Sequence, residues 1–341
     1  MGLIVVTEEP YNAEAPLGAL APAVTPVADF YVRNNFRAPE LKAGDWRLRI
    51  GGAVSAPLEL DLEALQALEP VELRVTLECA GNGRRLVAPR PPGTAWGLGA
   101  TGTAVFGGAA LRDVLALARP GASGVECLFT GADEGEVEGG ARVRFQRSLP
   151  LEMALGAGPM LAWAMNGEPL TRDHGHPVRL IVPGYYAVAS VKWLVGIEVL
   201  EHAFRGHFQA DRYVYREPGV AERPVTTMRV RALVTSHAEG SRVPAGEVTL
   251  GGRAWSGSGA IVAVMVSLDG GPWLEAAVEP ARESAAATAW RCALQLAPGA
   301  HAVRVRASDA GGAVQPLAPV WNELGYGNNG VQTLRLEAVP E

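Results

Sequence analysis

The sequence predicts an α+β domain followed by an all-β sandwich domain, and three observations lead to this fold class. The chain has 341 residues, which is too long for one ordinary hydrophobic core. Between residues 46 and 199, short β-like runs are mixed with short helical runs. After the Glu-Pro-Gly turn at 217–219, short alternating runs separated by Gly, Pro and Ser dominate, as in a β-sandwich. We therefore predict two domains, 1–222 and 223–341.

The elements follow in chain order. Residues 1–35 are rich in Pro and Ala with little periodicity, which predicts an extended arm packed on the surface. In the first domain the hydrophobic periods predict strands at 46–50, 71–77 and 178–182, and helices at 60–68, 110–118 and 151–155. In the second domain they predict strands at 228–234, 261–266 and 302–307. Asp269-Gly270, which follows the run at 261–266, predicts a hairpin turn.

Composition excludes several classes of protein. Hydrophobic residues make up 48% of the chain, yet no stretch approaches the roughly 18 consecutive apolar residues of a membrane helix. The net charge of -6 argues against nucleic-acid binding, which depends on positive charge. Three cysteines are too few for a disulfide framework. The N-terminus carries no export signal, so we expect a cytoplasmic protein, or a periplasmic one if a leader has been removed.

The segment 76–85, which reads Thr-Leu-Glu-Cys-Ala-Gly-Asn-Gly-Arg-Arg, is the strongest candidate for a functional site. A β-type run ends there in Cys79, two glycines and two arginines. Glycine lets the backbone turn tightly or approach a ligand, and neighbouring guanidinium groups favour both a thiolate and a bound oxyanion. Taken alone, the segment is equally consistent with a buried structural cysteine in a turn.

A second polar segment, 172–179, reads Arg-Asp-His-Gly-His-Pro-Val-Arg and precedes a buried-looking strand. Its two histidines are too close in sequence for a helical zinc pair. Cys79 and His174 leave open a Cys-His hydrolase, although the arginines would then have no role. Lys192, one of two lysines among 30 basic residues, lies between apolar runs, where a compact ammonium differs from an arginine fork.

Taken in order, these motifs resemble the sulfite oxidase family of molybdopterin enzymes. The resemblance rests on residues 30–34, 79–84, 96–102, 165–184, 191–193 and 209–213. In the second domain, residues 254–257, 266–271 and 321–322 resemble the family's immunoglobulin-like dimerisation domain. The resemblance implies a mixed α/β molybdopterin-binding domain followed by an immunoglobulin-like β-sandwich, and a homodimer formed through the sandwich.

The resemblance also implies a role for each candidate residue. Cys79 would ligate molybdenum, for which a soft sulfur ligand is suited. The implied cofactor contacts are Asn34, Asn35, Cys79, Asp133, His174, Arg179, Ser190 and Lys192. The implied substrate pocket is lined by Arg33, Arg84, Trp96 and Tyr213. There the guanidinium groups would hold a small oxyanion and the Tyr213 hydroxyl would donate to an oxo group.

The implied reaction is oxidation of sulfite, or a similar small oxyanion, to sulfate by oxo transfer. No CxxCH haem motif is present, so electrons would pass to a separate acceptor, for which a c-type cytochrome is the family precedent. Two departures concern the substrate: residues 255–261 lack a pocket arginine common in sulfite enzymes, and Asn35 stands where histidine is frequent. Reductive oxo transfer resembling that of nitrate reductase, a Cys-His hydrolase and a non-catalytic member of the fold remain alternatives.

Overall fold

A computed structural model describes residues 2–280 and 285–340 of the chain. Met1, residues 281–284 and Glu341, which fall within the predicted arm and the predicted second domain, lie outside the described residues. The chain begins with a hairpin of β1 (Ile4–Thr7) and β2 (Asn12–Glu14). The sequence predicted that residues 1–35 lie on the surface, but part of this segment is buried. Backbone hydrogen bonds between Ala13 and Val32 hold it in the interior, and both residues are buried.

The first half of the chain combines strands with short helices. In chain order its elements are β3 (Leu48–Gly52), β4 (Leu58–Leu60), α1 (Leu62–Gln66), β5 (Pro70–Glu78), β6 (Thr101–Ala110), α2 (Leu111–Ala118), β7 (Glu126–Glu136), β8 (Arg142–Pro150), α3 (Leu151–Ala154), β9 (Met160–Met165), β10 (Glu168–Pro169), β11 (Arg179–Ile181) and β12 (Leu194–Leu200). One sheet has the order β10-β9-β6-β5, with β11 also pairing with β9. The other has the order β4-β3-β12-β7-β8, in which β12 runs parallel to β3. The predicted α+β class is confirmed.

A local capping signal accounts for the position of the first helix. Helix α1 begins later than predicted because Asp61 is its N-cap, and the Asp61 carboxylate accepts a hydrogen bond of 2.8 Å from the backbone N–H of Ala64. The preceding residues Leu58–Leu60 pair with β3 as strand β4. Helix α2 begins one residue after its predicted start, and helix α3 ends one residue before its predicted end.

The second half of the chain is all β. A short ribbon of β13 (Val214–Tyr215) and β14 (Arg223–Pro224) leads into it. Its further strands are β15 (Arg231–Val234), β16 (Ser241–Pro244), β17 (Gly246–Trp255), β18 (Ile261–Leu268), β19 (Trp273–Glu275), β20 (Ala277–Val278), β21 (Thr288–Leu296), β22 (Gly299–Asp309) and β23 (Gln332–Val339). They form sheets with the orders β15-β17-β21-β20 and β16-β23-β22-β18-β19. The sandwich prediction is confirmed, whereas the domain boundary near residue 222 stays a prediction.

The predicted Asp-Gly hairpin joins β18 to β19. Asp269 and Gly270 have φ values of 50° and 75°, the left-handed pair of a type I′ turn, and this turn lies within the five residues between the paired Ser267 and Trp273. The N–H of Gly271 closes the turn on the carbonyl of Leu268 at 2.8 Å. The structure confirms the turn, which was predictable because its conformation depends on the residues within it.

A buried ion pair joins the two halves of the chain next to Cys79. Arg231 Nη1 lies 2.7 Å from Glu78 Oε1, and each side chain is 1% exposed. The same carboxylate accepts hydrogen bonds from Trp255 Nε1 at 2.9 Å and from Asn82 Nδ2 at 3.0 Å. The second half therefore holds the last residue of β5, and the chain leaves the sheet at Cys79.

Candidate functional site

A cavity of about 660 Å³, counting the space at its mouth, lies where the ends of several elements meet. It is bordered by the segment after Val32, the end of β5, β7 and the loops around β11. The structure brings together most of the predicted site residues on its wall: Arg33, Asn34, Asn35, Cys79, Asp133, His174, Arg179, Ser190, Lys192 and Tyr213. Apolar side chains such as Leu77 and Val188 complete the wall.

Cys79 lies at the start of a tight loop. Its N–H donates to the carbonyl of Ala100 at 2.8 Å, and its own carbonyl accepts from the N–H of Asn82 at 2.9 Å. Gly83 has a φ of 81°, and a Cβ there would come within 2.7 Å of Asn328 Nδ2, so this position requires glycine. The Cys-Ala-Gly-Asn-Gly sequence therefore presents the Cys79 thiol to the cavity from a closed backbone turn.

Opposing effects act on the pKa of the Cys79 thiol. Burial raises the pKa of Cys79 above its usual value, while Arg33 and Arg84 lower it by a smaller amount. The two guanidinium groups therefore favour the thiolate, as the sequence suggested, but the desolvation of the buried sulfur is the larger effect. A metal ion bound at Cys79 would supply the missing charge and displace the proton.

Arg179 and Lys192 place two cations deep in the cavity. Arg179 donates from Nη1 to the carbonyl of His174 at 2.9 Å and from Nη2 to the carbonyl of Ser190 at 3.2 Å. Its Nε is buried and has no hydrogen-bond partner among the residues that the structure describes. Burial lowers the pKa of Arg179 to about 10. Lys192 donates to the carbonyl of Asp173 at 2.8 Å and contacts Asn34 Oδ1, and burial together with Arg179 lowers its pKa well below the usual value.

Asp133 is a buried carboxyl group in the same cavity. Burial raises the pKa of Asp133 to about 6, although Lys192 acts in the opposite direction. Its Oδ1 atom is buried without a hydrogen-bond partner in the described part of the chain. Buried polar atoms are normally paired, so the free atoms of Arg179 and Asp133 indicate that a bound polar group completes this site.

His174 is a neutral, packed histidine. Burial, followed by Lys192 and Arg179, lowers the pKa of His174 to about 3. Its ring meets the ring of Phe30 edge-on, with centroids 5.5 Å apart. No hydrogen bond joins His174 to Cys79 within residues 2–280 and 285–340. A Cys-His hydrolase requires the base to contact its nucleophile, so the geometry argues against that alternative.

The buried His174 should make the stability of the ligand-free protein depend on pH. Its folded pKa of about 3 lies below the unfolded value of 6.5, so its contribution is complete above pH 6.5 and is lost as the pH falls towards 3. His174→Gln removes this titration. We expect the free energy of unfolding of the wild type, relative to the variant, to rise between pH 4 and 6.5 with a slope approaching about 1.4 kcal/mol per pH unit.

Urea unfolding of both proteins at several pH values measures that difference. Asp133 titrates in the opposite sense, since its folded pKa is raised, but it is present in both proteins and cancels in the comparison. A difference between the two proteins that stays constant from pH 4 to 7 would refute the buried neutral state of His174.

Arg33 and Asn35 line both this cavity and an adjoining one, and they contact Tyr213 on the wall of the first. Arg33 Nη2 donates to Asn35 Oδ1 at 2.6 Å and to the Tyr213 hydroxyl at 3.2 Å. The Tyr213 hydroxyl also lies 3.2 Å from Asn35 Oδ1. Although burial opposes it, the pKa of Arg33 is raised by Tyr213 and Cys79. The amide of Asn35, where a histidine is frequent in the resembling enzymes, therefore orients both side chains.

Two predicted pocket residues do not line the cavity. Arg84 is buried, donates to the carbonyl groups of Leu324 at 3.1 Å and Thr94 at 2.9 Å, and lies 4.9 Å from the ring centre of Tyr326. Trp96 is fully buried in the hydrophobic core beside the cysteine loop. Arg85, the second arginine of the loop, has a side chain that is 56% exposed, 4.0 Å from Glu14. Of the two adjacent arginines, only Arg84 is near enough to act on Cys79.

Sequence reasoning missed Tyr326, which belongs to the second half of the chain. Its ring stacks on Tyr213 with centroids 5.0 Å apart and receives the guanidinium of Arg84. The flanking Gly325 and Gly327 have φ values of 62° and 64°, and the Gly327 N–H donates to the Ala80 carbonyl at 2.8 Å. A Gly-Tyr-Gly sequence was the available signal, but nothing local connects it to the distant cysteine loop.

The donor set defines what this cavity can hold. Within the described residues there is no group of three or more His, Cys, Asp and Glu side chains that could hold a metal ion. A metal at Cys79 would therefore take one sulfur from the protein and most of its remaining ligands from groups bound with it. The buried cations Arg179 and Lys192 require that group to carry negative charge. The residues present fit an anionic, metal-bearing cofactor.

Comparisons with known proteins agree with this chemistry. The family model described as "Oxidoreductase molybdopterin binding domain" matches residues 35–208, and that described as "Mo-co oxidoreductase dimerisation domain" matches residues 222–336. Among the described residues, every helix is too short or too polar to span a lipid bilayer.

Individual relatives extend the likeness over nearly the whole chain. Mitochondrial sulfite oxidase of Macaca fascicularis is 35% identical, over 99% of this chain and 66% of the relative, so the chain spans about two thirds of that protein. Sulfite oxidase of Arabidopsis thaliana is 34% identical, over 96% of this chain and 91% of the relative. Nitrate reductase of Hordeum vulgare is 33% identical, over 94% of this chain and 40% of the relative. The crystal structure of the sulfane dehydrogenase SoxCD from Paracoccus pantotrophus superposes with a TM-score of 0.89 and 28% identity, covering 100% of this chain and 89% of that one.

Proposed function

Because the chain belongs to the sulfite oxidase family of molybdopterin-dependent oxidoreductases, we propose that it oxidises sulfite, or a similar small oxyanion, to sulfate. Oxidation of sulfite adds one oxygen atom, taken from water, and releases two protons and two electrons. The observation that supports this function is the cavity itself, in which a buried cysteine thiol, buried cations and the Arg33–Tyr213 pair meet.

The cofactor-binding role is assigned to the inner part of the cavity. Cys79 would hold the metal through its thiolate. Arg179 and Lys192 would neutralise the phosphate of the pterin, and the unpartnered Arg179 Nε and Asp133 Oδ1 are available to its polar groups. Asn34, His174 and Ser190 complete this part of the wall. When bound, molybdopterin supplies the exchangeable oxygen and the two-electron redox capacity that the side chains lack.

The substrate-binding role is assigned to the outer part. Arg33 presents its guanidinium at the boundary of the two cavities, where it can hold a small oxyanion, and Asn35 keeps it and the Tyr213 hydroxyl in place. The guanidinium of Arg84 lies behind Tyr326, so it contributes positive potential rather than direct lining. The enclosing aromatic side chains restrict water, which strengthens these electrostatic interactions.

Reductive oxo transfer is the second candidate. It rests on the likeness to nitrate reductase, and the same cationic wall suits any small oxyanion. Oxidation is the first candidate because sulfite oxidase relatives match with similar identity over far more of their own length. The match to a dimerisation domain supports a homodimer, and we assign electron transfer to a separate acceptor such as a c-type cytochrome. A cytoplasmic location stays a prediction.

Two measurements on one preparation test the proposed function. Protein expressed in a host that makes the cofactor should contain nearly one molybdenum per chain, and denaturation should release a fluorescent oxidised pterin. The same protein should reduce ferricyanide or cytochrome c when sulfite is added. Loaded protein that reduces nitrate and ignores sulfite would favour the second candidate. The absence of both molybdenum and pterin would instead favour a non-catalytic role for the fold.

A further inference from the structure

A second cavity adjoins the first on its outer side. It encloses about 830 Å³, counting its mouth, and shares Arg33, Asn34 and Asn35 with the inner cavity. Its remaining wall includes Thr94, His207 and Arg212. The outer cavity therefore leads to the space beside Arg33, and Arg212 lines this path.

Arg212 has a side chain without a countercharge. It forms no ion pair and no side-chain hydrogen bond within residues 2–280 and 285–340, and it is only partly exposed. Glu136 and Glu138 line the same cavity, but both are exposed and neither comes within 4.0 Å of the Arg212 guanidinium. A cation left unpaired in a recess is positioned to bind an anion.

The guanidinium groups of Arg212 and Arg84 border one small space beside Gly93. A Cβ built on Gly93 would lie 3.3 Å from Arg84 Nη1 and 3.8 Å from Arg212 Nη2. Arg212 also acts electrostatically on the phenol of Tyr326, as do Arg84 and Arg33. Three guanidinium groups thus surround the stacked Tyr213 and Tyr326, with no carboxylate paired to any of them in the described part of the chain.

The backbone around Arg212 is held firmly. Its N–H donates to the carbonyl of His207 at 2.9 Å, at the end of the helical turn His207–Asp211. The fully buried Arg147 contacts the carbonyl of Phe208 and donates to the carbonyl of Val225 at 3.0 Å. The N–H of Val225 in turn donates to the carbonyl of Tyr213 at 2.8 Å. The position of Arg212 is therefore set by buried contacts on both sides of it in the chain.

We propose that Arg212 is an oxyanion-binding residue of the outer cavity, where it acts with Arg33 to admit small dianions such as sulfite and sulfate. The inference rests on the proposed function for the identity of the substrate. Its own content is that a small sulfur oxyanion binds at this cavity and that Arg212 contributes to the affinity. An arginine suits this role because its planar fork can donate two parallel hydrogen bonds to an oxyanion.

The test compares holoenzyme variants. Arg212→Gln should raise the KM for sulfite about tenfold, the loss expected for one charge-assisted contact, and change kcat less than KM. It should weaken sulfate binding, measured by calorimetry without turnover, by a similar factor. The KM and the sulfate Kd of Arg212→Lys should lie between those of the wild type and Arg212→Gln, because lysine keeps the charge but lacks the planar guanidinium group. The matched control is Arg205→Gln, which removes the same charge from an exposed side chain outside both cavities.

Each outcome decides the matter. If Arg212→Gln leaves the KM and the sulfate Kd within twofold of those of Arg205→Gln, the proposal is wrong. If Arg212→Gln does not fold, Arg212→Lys decides, and a KM and a sulfate Kd unchanged from the wild type would overturn the proposal. If the wild type fails to oxidise sulfite while sulfate binding still depends on Arg212, the proposed function fails and this inference stands.

Discussion

Replacing Cys79 with serine should abolish sulfite oxidation while preserving the fold. Serine has nearly the same size as cysteine, and the backbone N–H of Gly81, which donates to the Cys79 sulfur, can donate to a serine oxygen as well. A hydroxyl is a hard ligand that stays protonated, whereas molybdenum prefers the soft thiolate. We expect the molybdenum content, and with it kcat, to fall at least about a hundredfold, because loss of even an outer partner of a metal site commonly costs ten- to a hundredfold.

Metal analysis, pterin release and steady-state kinetics measure this effect, and the melting temperature confirms the fold. The matched control is Cys292→Ser, which makes the same chemical change in the second half of the chain, away from both cavities. Cys292→Ser should keep full activity per molybdenum. Full activity in Cys79→Ser would remove the proposed ligand role.

Arg231→Met should produce the largest loss of stability of any single substitution considered. Glu78 would keep its hydrogen bonds from Trp255 and Asn82 but lose the only cation within 4.0 Å among the described residues. Removing one partner of a buried ion pair leaves a buried charge without compensation, which costs about 3–5 kcal/mol in the free energy of unfolding. Because Glu78 immediately precedes Cys79, cofactor retention should fall as well.

Guanidinium unfolding followed by tryptophan fluorescence measures the loss, and molybdenum content reports the effect on the site. The control is Arg335→Met, which breaks an exposed ion pair with Glu239 at 3.1 Å and should change the free energy of unfolding by less than about 1 kcal/mol. The double variant Glu78→Gln/Arg231→Met should recover part of the loss, since it removes the unpaired charge. If the free energy of unfolding falls as little in Arg231→Met as in the control, the ion pair does not stabilise the contact between the two halves.

Local chemistry made much of the fold predictable. The hydrophobic period predicted a helix at 60–68, and Asp61, whose carboxylate caps a backbone N–H three residues later, moves its start to Leu62. Asp269-Gly270 forms the predicted turn because both residues tolerate positive φ. The cysteine loop was recognisable because its glycines are required by the backbone itself, as at Gly83. Each of these features depends on residues close together in the sequence.

The site residues were predicted from the resemblance to the family, and most of them line one cavity, whereas Arg84 and Trp96 do not. Arg84 turns away to carbonyl groups at Thr94 and Leu324, and the second of these comes from the other half of the chain. Residue type and spacing indicate that an arginine five residues after Cys79 lies near the site. They do not predict which way its side chain points, because distant partners decide that.

The sequence by itself determined the fold class, the family and the residue types of the site, because short-range backbone rules and ordered motifs carry that information. Only the tertiary structure decided the raised pKa of Cys79, the pairing of Glu78 with Arg231, the stacking of Tyr326 on Tyr213, and the position of Arg212 on the wall of the outer cavity. These properties depend on burial and on contacts between residues far apart in the chain. Desolvation and Coulomb energy act through distance in space, which the order of residues does not contain.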